Sequence, residues 1–210
     1  MYKLATVLLL LFSMLLLTQC SVFSPVKLQP NSNYTISNLP NSNNQNLKLK
    51  QTASSKTLFL ASPSAASGYN TNDMIYITVP YKLKSFANNH WVAPPADLLS
   101  TLLANALRRQ HYFHAIVTPP FSGLATYQLN TQLLVLQQEF LQPESRVRLT
   151  LEITLIQSAN GSVLASRVFT IVIPAPENNP YSGVVAANLA ANMLAKQISQ
   201  FVVQAAAAGK

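Results

Sequence analysis

Cysteine occurs once in this chain, at position 20, so no disulfide can close within it and the fold must hold without a covalent staple. Carboxylates are nearly as scarce. Six acidic side chains, Asp73, Asp97, Glu139, Glu144, Glu152 and Glu177, serve 210 residues. Asp97 falls in the first turn of a predicted helix, where it complements the dipole, and Glu152 lies on the polar side of a predicted strand. Asp73 stands in a loop before a strand, and Glu139 and Glu144 flank a turn, so none is placed for general acid–base work. Five glycines leave little material for a phosphate-cradling loop, and neither GxSxG nor HExxH occurs. His111-Tyr-Phe-His114 offers two imidazoles at i, i+3, but the segment follows the end of a predicted helix and no Cys, Asp or Glu comes after it at ligand spacing. These absences argue against an enzyme and leave no catalytic residue, metal ligand or cofactor site to nominate.

Charge of one sign dominates what remains. Fourteen basic side chains against six acidic ones give a net charge of +8. The basic residues are spread in ones and twos, as at Lys82 and Lys84, Arg108 and Arg109, or Arg146 and Arg148, with no basic arm and no aromatic RNA-binding motif. Nucleic acid is therefore not the expected partner, and attraction to anionic lipid head groups is the more natural use of the charge.

The chain opens MYKLATVLLLLFSMLLLTQC. Lys3 supplies a short positive region, and Leu4 to Thr18 is apolar apart from Ser13 and two threonines. Those residues would span about 22 Å as a helix, short of the ~30 Å hydrocarbon core, which suits a signal peptide over 1–19 better than a spanning anchor. Removal of Lys3 with that segment leaves 13 basic against 6 acidic side chains, +7. Leu17-Thr18-Gln19-Cys20 resembles the lipobox of bacterial lipoproteins, whose cysteine becomes the lipid-bearing first mature residue. It departs at Gln19, where a small residue is usual. The alternative is ordinary cleavage nearby with an incidental cysteine. If Cys20 is acylated, Ser21 after it matches the outer-membrane fate.

Residues 20–56 read as a tether. Asn31 to Asn46 holds seven asparagines in sixteen residues and too little apolar surface to offset its ordering entropy, with one short strand expected over Tyr34–Ser37. From 57 to 207 the pattern is that of one folded domain. Strands are expected over Thr57–Ala61, Met74–Pro80, Ala115–Val117, Tyr127–Phe140, Arg146–Gln157 and Val163–Ile173, with residues 62–73 as a loop. Arg146–Gln157 alternates cleanly, Val147, Leu149, Leu151, Ile153 and Leu155 on one side, and Asn160-Gly161 marks the hairpin after it. After Pro94-Pro95, Leu99, Leu102, Leu103, Ala106 and Leu107 form a helical stripe closed by Arg108 and Arg109. Tyr181–Ala207 reads as a long Ala-rich helix. The expected class is α+β, an antiparallel sheet with an amphipathic helix mid-chain and a long C-terminal helix packed on one face.

The only tryptophan, Trp91, is either a packing anchor between strand and helix or an aromatic hot spot for a partner protein. At this point the chain resembles a known family. Met74-Ile-Tyr-Ile, Tyr81-Lys-Leu-Lys-Ser-Phe86, and Trp91-Val-Ala-Pro94-Pro95-Ala-Asp-Leu-Leu99 are similar to the ABC-type transport auxiliary lipoproteins, as are Tyr127-Gln-Leu, the strand pair about Asn160-Gly161 and the final helix. The resemblance implies a non-catalytic, lipid-anchored periplasmic accessory of a Gram-negative ABC system working with mammalian-cell-entry (MCE) domain proteins, which moves lipid between the two membranes. It also implies an MCE-domain protein and ABC subunits as partners, self-assembly into a homo-oligomer, and Trp91, Phe86 and Tyr81 as partner-binding side chains. A lipid-binding module and an assembly factor of another envelope complex are the competing classes.

Overall fold

The computed structural model describes residues 30–38 and 54–209. The segment read as a signal peptide, Cys20 and most of the stretch read as a tether lie outside the described residues.

Three long strands form one side of the sheet, with the last at its edge: β7 (Tyr127–Glu139), β8 (Arg146–Gln157) and β9 (Ser162–Pro174). They pair antiparallel in sequence order, and β8 is the middle one. Its odd-numbered residues from Val147 to Leu155 are buried, as its alternation predicts. Gly161 closes the β8–β9 turn at φ +71, in the region that favours glycine, and the Asn160 side chain caps the turn by accepting from the Ser162 N–H at 3.0 Å.

The other edge of β7 is filled by three short strands in series. These are β2 (Thr57–Leu60), β3 (Ser64–Ala65) and β4 (Asp73–Ile77), each parallel to β7. β6 (Ala115–Val117) extends the sheet beyond β2. β5 (Leu83–Trp91) makes a hairpin with β4, and β1 (Ser32–Tyr34) lies parallel to the end of β5. The sheet is thus antiparallel in its long meander and parallel where the short strands join. Parallel pairing follows from connectivity, because β2 and β4 reach β7 through long crossovers rather than tight turns. β3 falls inside the stretch expected to be a loop, and the strand in the Asn-rich segment sits slightly N-terminal to the expected Tyr34–Ser37.

Both helices cover one face. α1 (Pro95–Arg108) starts with Pro at its first position, carries Asp97 in its first turn, and buries Leu99, Leu102, Leu103 and Leu107. α2 (Pro180–Ala208) is capped by the Asn179 side chain, which accepts from the Ser182 N–H at 2.8 Å. Its buried side is largely alanine, with Leu194, Ile198 and Val202, so it can lie close against β8, β9 and α1. No helix among the described residues is long and apolar enough to cross a membrane.

A bulge sets the side-chain phase of β7. Leu133 pairs with Leu151 but Val135 pairs with Thr150, so Leu134 is an extra residue. Before it the odd positions are buried; beyond it Leu136 and Gln138 turn into the core. Gln137 and Glu139 are thereby delivered to the opposite face.

Candidate functional site

Three features of the described body have the chemistry or exposure of a site. The first is the ion cluster created by the bulge. Glu139 stands directly across from Arg146 and beside Arg148, and it is only 3 % exposed. Arg148 donates Nε to Oε1 at 2.7 Å and Nη2 to Oε2 at 3.3 Å, while Arg146 donates Nε to Oε2 at 3.2 Å. Gln137 donates to Oε1 at 3.0 Å and itself accepts from the Tyr69 hydroxyl at 2.6 Å. Burial by itself pushes the Glu139 carboxyl up, but the hydrogen bonds from Arg148, Gln137 and Arg146, with the Arg148 charge, outweigh it and hold the pKa below its ordinary value. Burial, then the nearby carboxylate, pushes the Tyr69 phenol up. With its lone pairs occupied by donors, Glu139 acts as a fastener between strands. Sequence reasoning missed it, because nothing in Leu133-Leu134-Val135-Leu136 marks which leucine is the extra one.

The second feature is the seam where the β4–β5 hairpin meets α2. Trp91 is buried at 4 % exposure, and its backbone N–H donates to the Asn72 carbonyl at 2.7 Å. Phe86 stacks on Tyr76 with centroids 4.4 Å apart, and Phe140 meets both rings edge-on. A small, partly open cleft lies between Met74, Phe86, Trp91, Leu136, Gln138 and Ala187. Gln138 Nε2 donates to Ser145 Oγ at 2.9 Å and to the Asn179 carbonyl at 3.2 Å. Its Oε1 has no partner among the described residues and rests on Gly183, where a Cβ would come within 2.3 Å of it. The space the cleft encloses is about that of a single water molecule, so it is too small to hold a lipid.

The third feature is exposed apolar surface. On α2, Tyr181, Val185, Leu189 and Met193 recur every fourth residue and stand in solvent. Beside that row, Asn188 and Asn192 hold residues 35–37 in place: Ser37 N–H donates to Asn188 Oδ1 at 2.9 Å, and the two amides donate to the Thr35 and Ser37 carbonyls at 3.0 and 2.9 Å. At the β4–β5 turn, residues 78–85 are all exposed, Tyr81 completely.

The three aromatic residues singled out from the sequence therefore have different surroundings. Trp91 is enclosed, Phe86 is half-covered in a ring cluster, and Tyr81 alone presents its ring to solvent. His111 and His114 lie on the α1–β6 connection, His111 at φ +52 and His114 donating its N–H to the Lys56 carbonyl. Among the described residues no three His, Cys, Asp or Glu side chains gather as a metal site would require.

The model of the ABC-type transport auxiliary lipoprotein component matches residues 34–199, nearly the whole described body. The chain belongs to this family. A crystal structure of a Xanthomonas campestris protein of family DUF330 shares the fold at 18 % identity and a TM-score of 0.72, over 85 % of this chain and 98 % of that one. A second solved structure, of an uncharacterized protein, aligns at 14 % identity and a TM-score of 0.65, over 83 % of this chain and 99 % of its own. No curated protein matches. The family is one of lipoproteins that assist ABC-type transport.

Proposed function

We propose that this protein is a non-catalytic, outer-membrane-anchored periplasmic subunit of an ABC/MCE-type intermembrane lipid transport system, tethered through an acylated Cys20. The observation that carries the reading is the family match over residues 34–199. Leu17-Thr18-Gln19-Cys20 supports the anchor, and Ser21 supports the outer-membrane address. The exposed row on α2 supports work done by contact with other proteins, an MCE-domain protein and its ABC subunits, or with further copies of this chain.

Two experiments test it. Pull-down from cross-linked membranes should recover an MCE-domain protein or its permease, and recovery of neither under conditions that preserve the complex would refute the partnership. Labelled palmitate should enter the native chain and not Cys20→Ala; equal labelling of both, or none, would refute the anchor. A cleft with room for about one water molecule does not favour the second reading, a module that carries lipid in its own interior.

A further inference from the structure

The β4–β5 turn departs from what stability alone would select. Lys82 N–H donates to the Val79 carbonyl at 3.4 Å, with Pro80 and Tyr81 as the central residues and Tyr81 at φ +66. Proline followed by a residue of positive φ is the type II pattern, whose second central position ordinarily takes glycine or asparagine. A tyrosine there costs roughly 1–2 kcal/mol of left-handed strain. Its fully exposed ring makes no packing contact to offset that cost. Strain retained without a structural return is the pattern of a functional position.

The neighbours indicate what the ring meets. Val79 and Leu83 are exposed on either side, and Lys82 and Lys84 alternate with them, so residues 78–85 (TVPYKLKS) carry apolar groups and two cations with no acid. The ionisable side chain of the adjacent β7–β8 turn is Glu144, and Glu139 in β7 is already bound by two arginines. An amphipathic ring flanked by aliphatic side chains and lysines suits the boundary between anionic head groups and acyl chains.

We propose that the β4–β5 turn is a second membrane contact, in which Tyr81, Val79 and Leu83 enter the interface of an anionic lipid surface while Lys82 and Lys84 bind its head groups. The proposal rests on the reading above only for the lipid at Cys20, and its test removes that lipid. Because Cys20 is the only cysteine, the mature chain from residue 20 with Cys20→Ala and Tyr81→Cys takes one environment-sensitive fluorophore at the turn. A companion with Cys20→Ala and Ser162→Cys carries it at the β8–β9 turn. Vesicles of phosphatidylcholine with phosphatidylglycerol should blue-shift the label at 81 and not at 162. Phosphatidylcholine alone, or high salt, should give little shift. In the unlabelled Cys20→Ala chain, Lys82→Glu with Lys84→Glu should lower partitioning to the anionic vesicles by roughly tenfold or more. Equal shifts at the two positions, equal shifts on neutral vesicles, or unchanged partitioning of the charge-reversed chain would overturn the proposal. So would silence on vesicles together with protein cross-links from position 81 in native membranes, which would assign the turn to a protein partner. Palmitate labelling at Cys20 is indifferent to all of these outcomes, so the two readings fail separately.

Discussion

The β7–β8–β9 meander and the β4–β5 hairpin belong to one sheet but are held by different means. The meander is long, pairs along its whole length, and buries a mostly apolar face under α2. The hairpin pairs with β7 only at Tyr76 and Ile77, and it is held by Trp91, by a trio of aromatic rings and by β1 on its far edge. Its other end runs out into eight exposed residues. Stability accumulates with continuous pairing and burial, and local openings are drawn from the regions that have least of both. The difference teaches that the region with few anchors is the one that carries the strained, solvent-facing turn.

Trp91→Ala should break the comparison most severely. Removing a buried indole costs about 3–5 kcal/mol, and this one ties β5 to β1 and α2. Hydrogen exchange should speed up across β4 and β5 while β8 amides keep the protection the rest of the fold allows. Uniform loss of protection in both regions would show that hairpin and meander open as one unit.

Gly183→Ala probes the seam between them. Alanine inside a helix ordinarily gains about 1 kcal/mol over glycine. Here its Cβ would displace the buried Gln138 amide and its bonds to Ser145 and Asn179, so a net loss of about 2–3 kcal/mol in denaturant unfolding is expected. Gln138→Ala in the same chain should return part of the loss, a non-additivity that separates this collision from a general effect on α2.

Glu139→Gln tests the fastening of the meander's outer face. Breaking a buried pair costs about 3–5 kcal/mol, but both arginines are a third exposed, so about 2 kcal/mol is expected near neutral pH. The Glu139 pKa is depressed from an ordinary 4.5, so the carboxylate contributes in full above that value and its contribution fades as pH falls through the lower folded pKa. The variant and the native chain should therefore converge in stability below pH 4.5, and a constant gap down to acid would refute the assignment.

The same contrast explains what was legible in the residues. β8 could be read because one face is buried and the other is not, which gives strict alternation, and Asn160-Gly161 announced its turn. α1 was legible from its leucine stripe and prolines, and α2 from a long run free of proline. β1 and β3 were faint because strands of three and two residues carry no period, and their stability comes from pairing with β5 and β7. Glu139 and Gln138 owe their environments to one extra leucine in an all-apolar run, where every register looks alike until the partner strand chooses one. Tyr81 was nominated from a resemblance as a partner contact, but its strain depends on a backbone angle that no residue pattern reports.

Tyr81→Gly has the smallest expected effect on stability and the most informative sign. Relief of roughly 1–2 kcal/mol of left-handed strain is opposed by roughly 0.5–1 kcal/mol of added chain entropy in the unfolded state, leaving a gain of about 0.5 kcal/mol. A side chain that served the fold would show a loss instead. In the Cys20→Ala chain the same substitution should weaken partitioning to phosphatidylglycerol-containing vesicles while the denaturation midpoint stays level or rises. Opposite movement of the two measurements identifies a residue kept for its surface chemistry at a cost to the turn that holds it. A fall in both would return Tyr81 to the structural scaffold and leave the hairpin, like the meander, explained by packing alone.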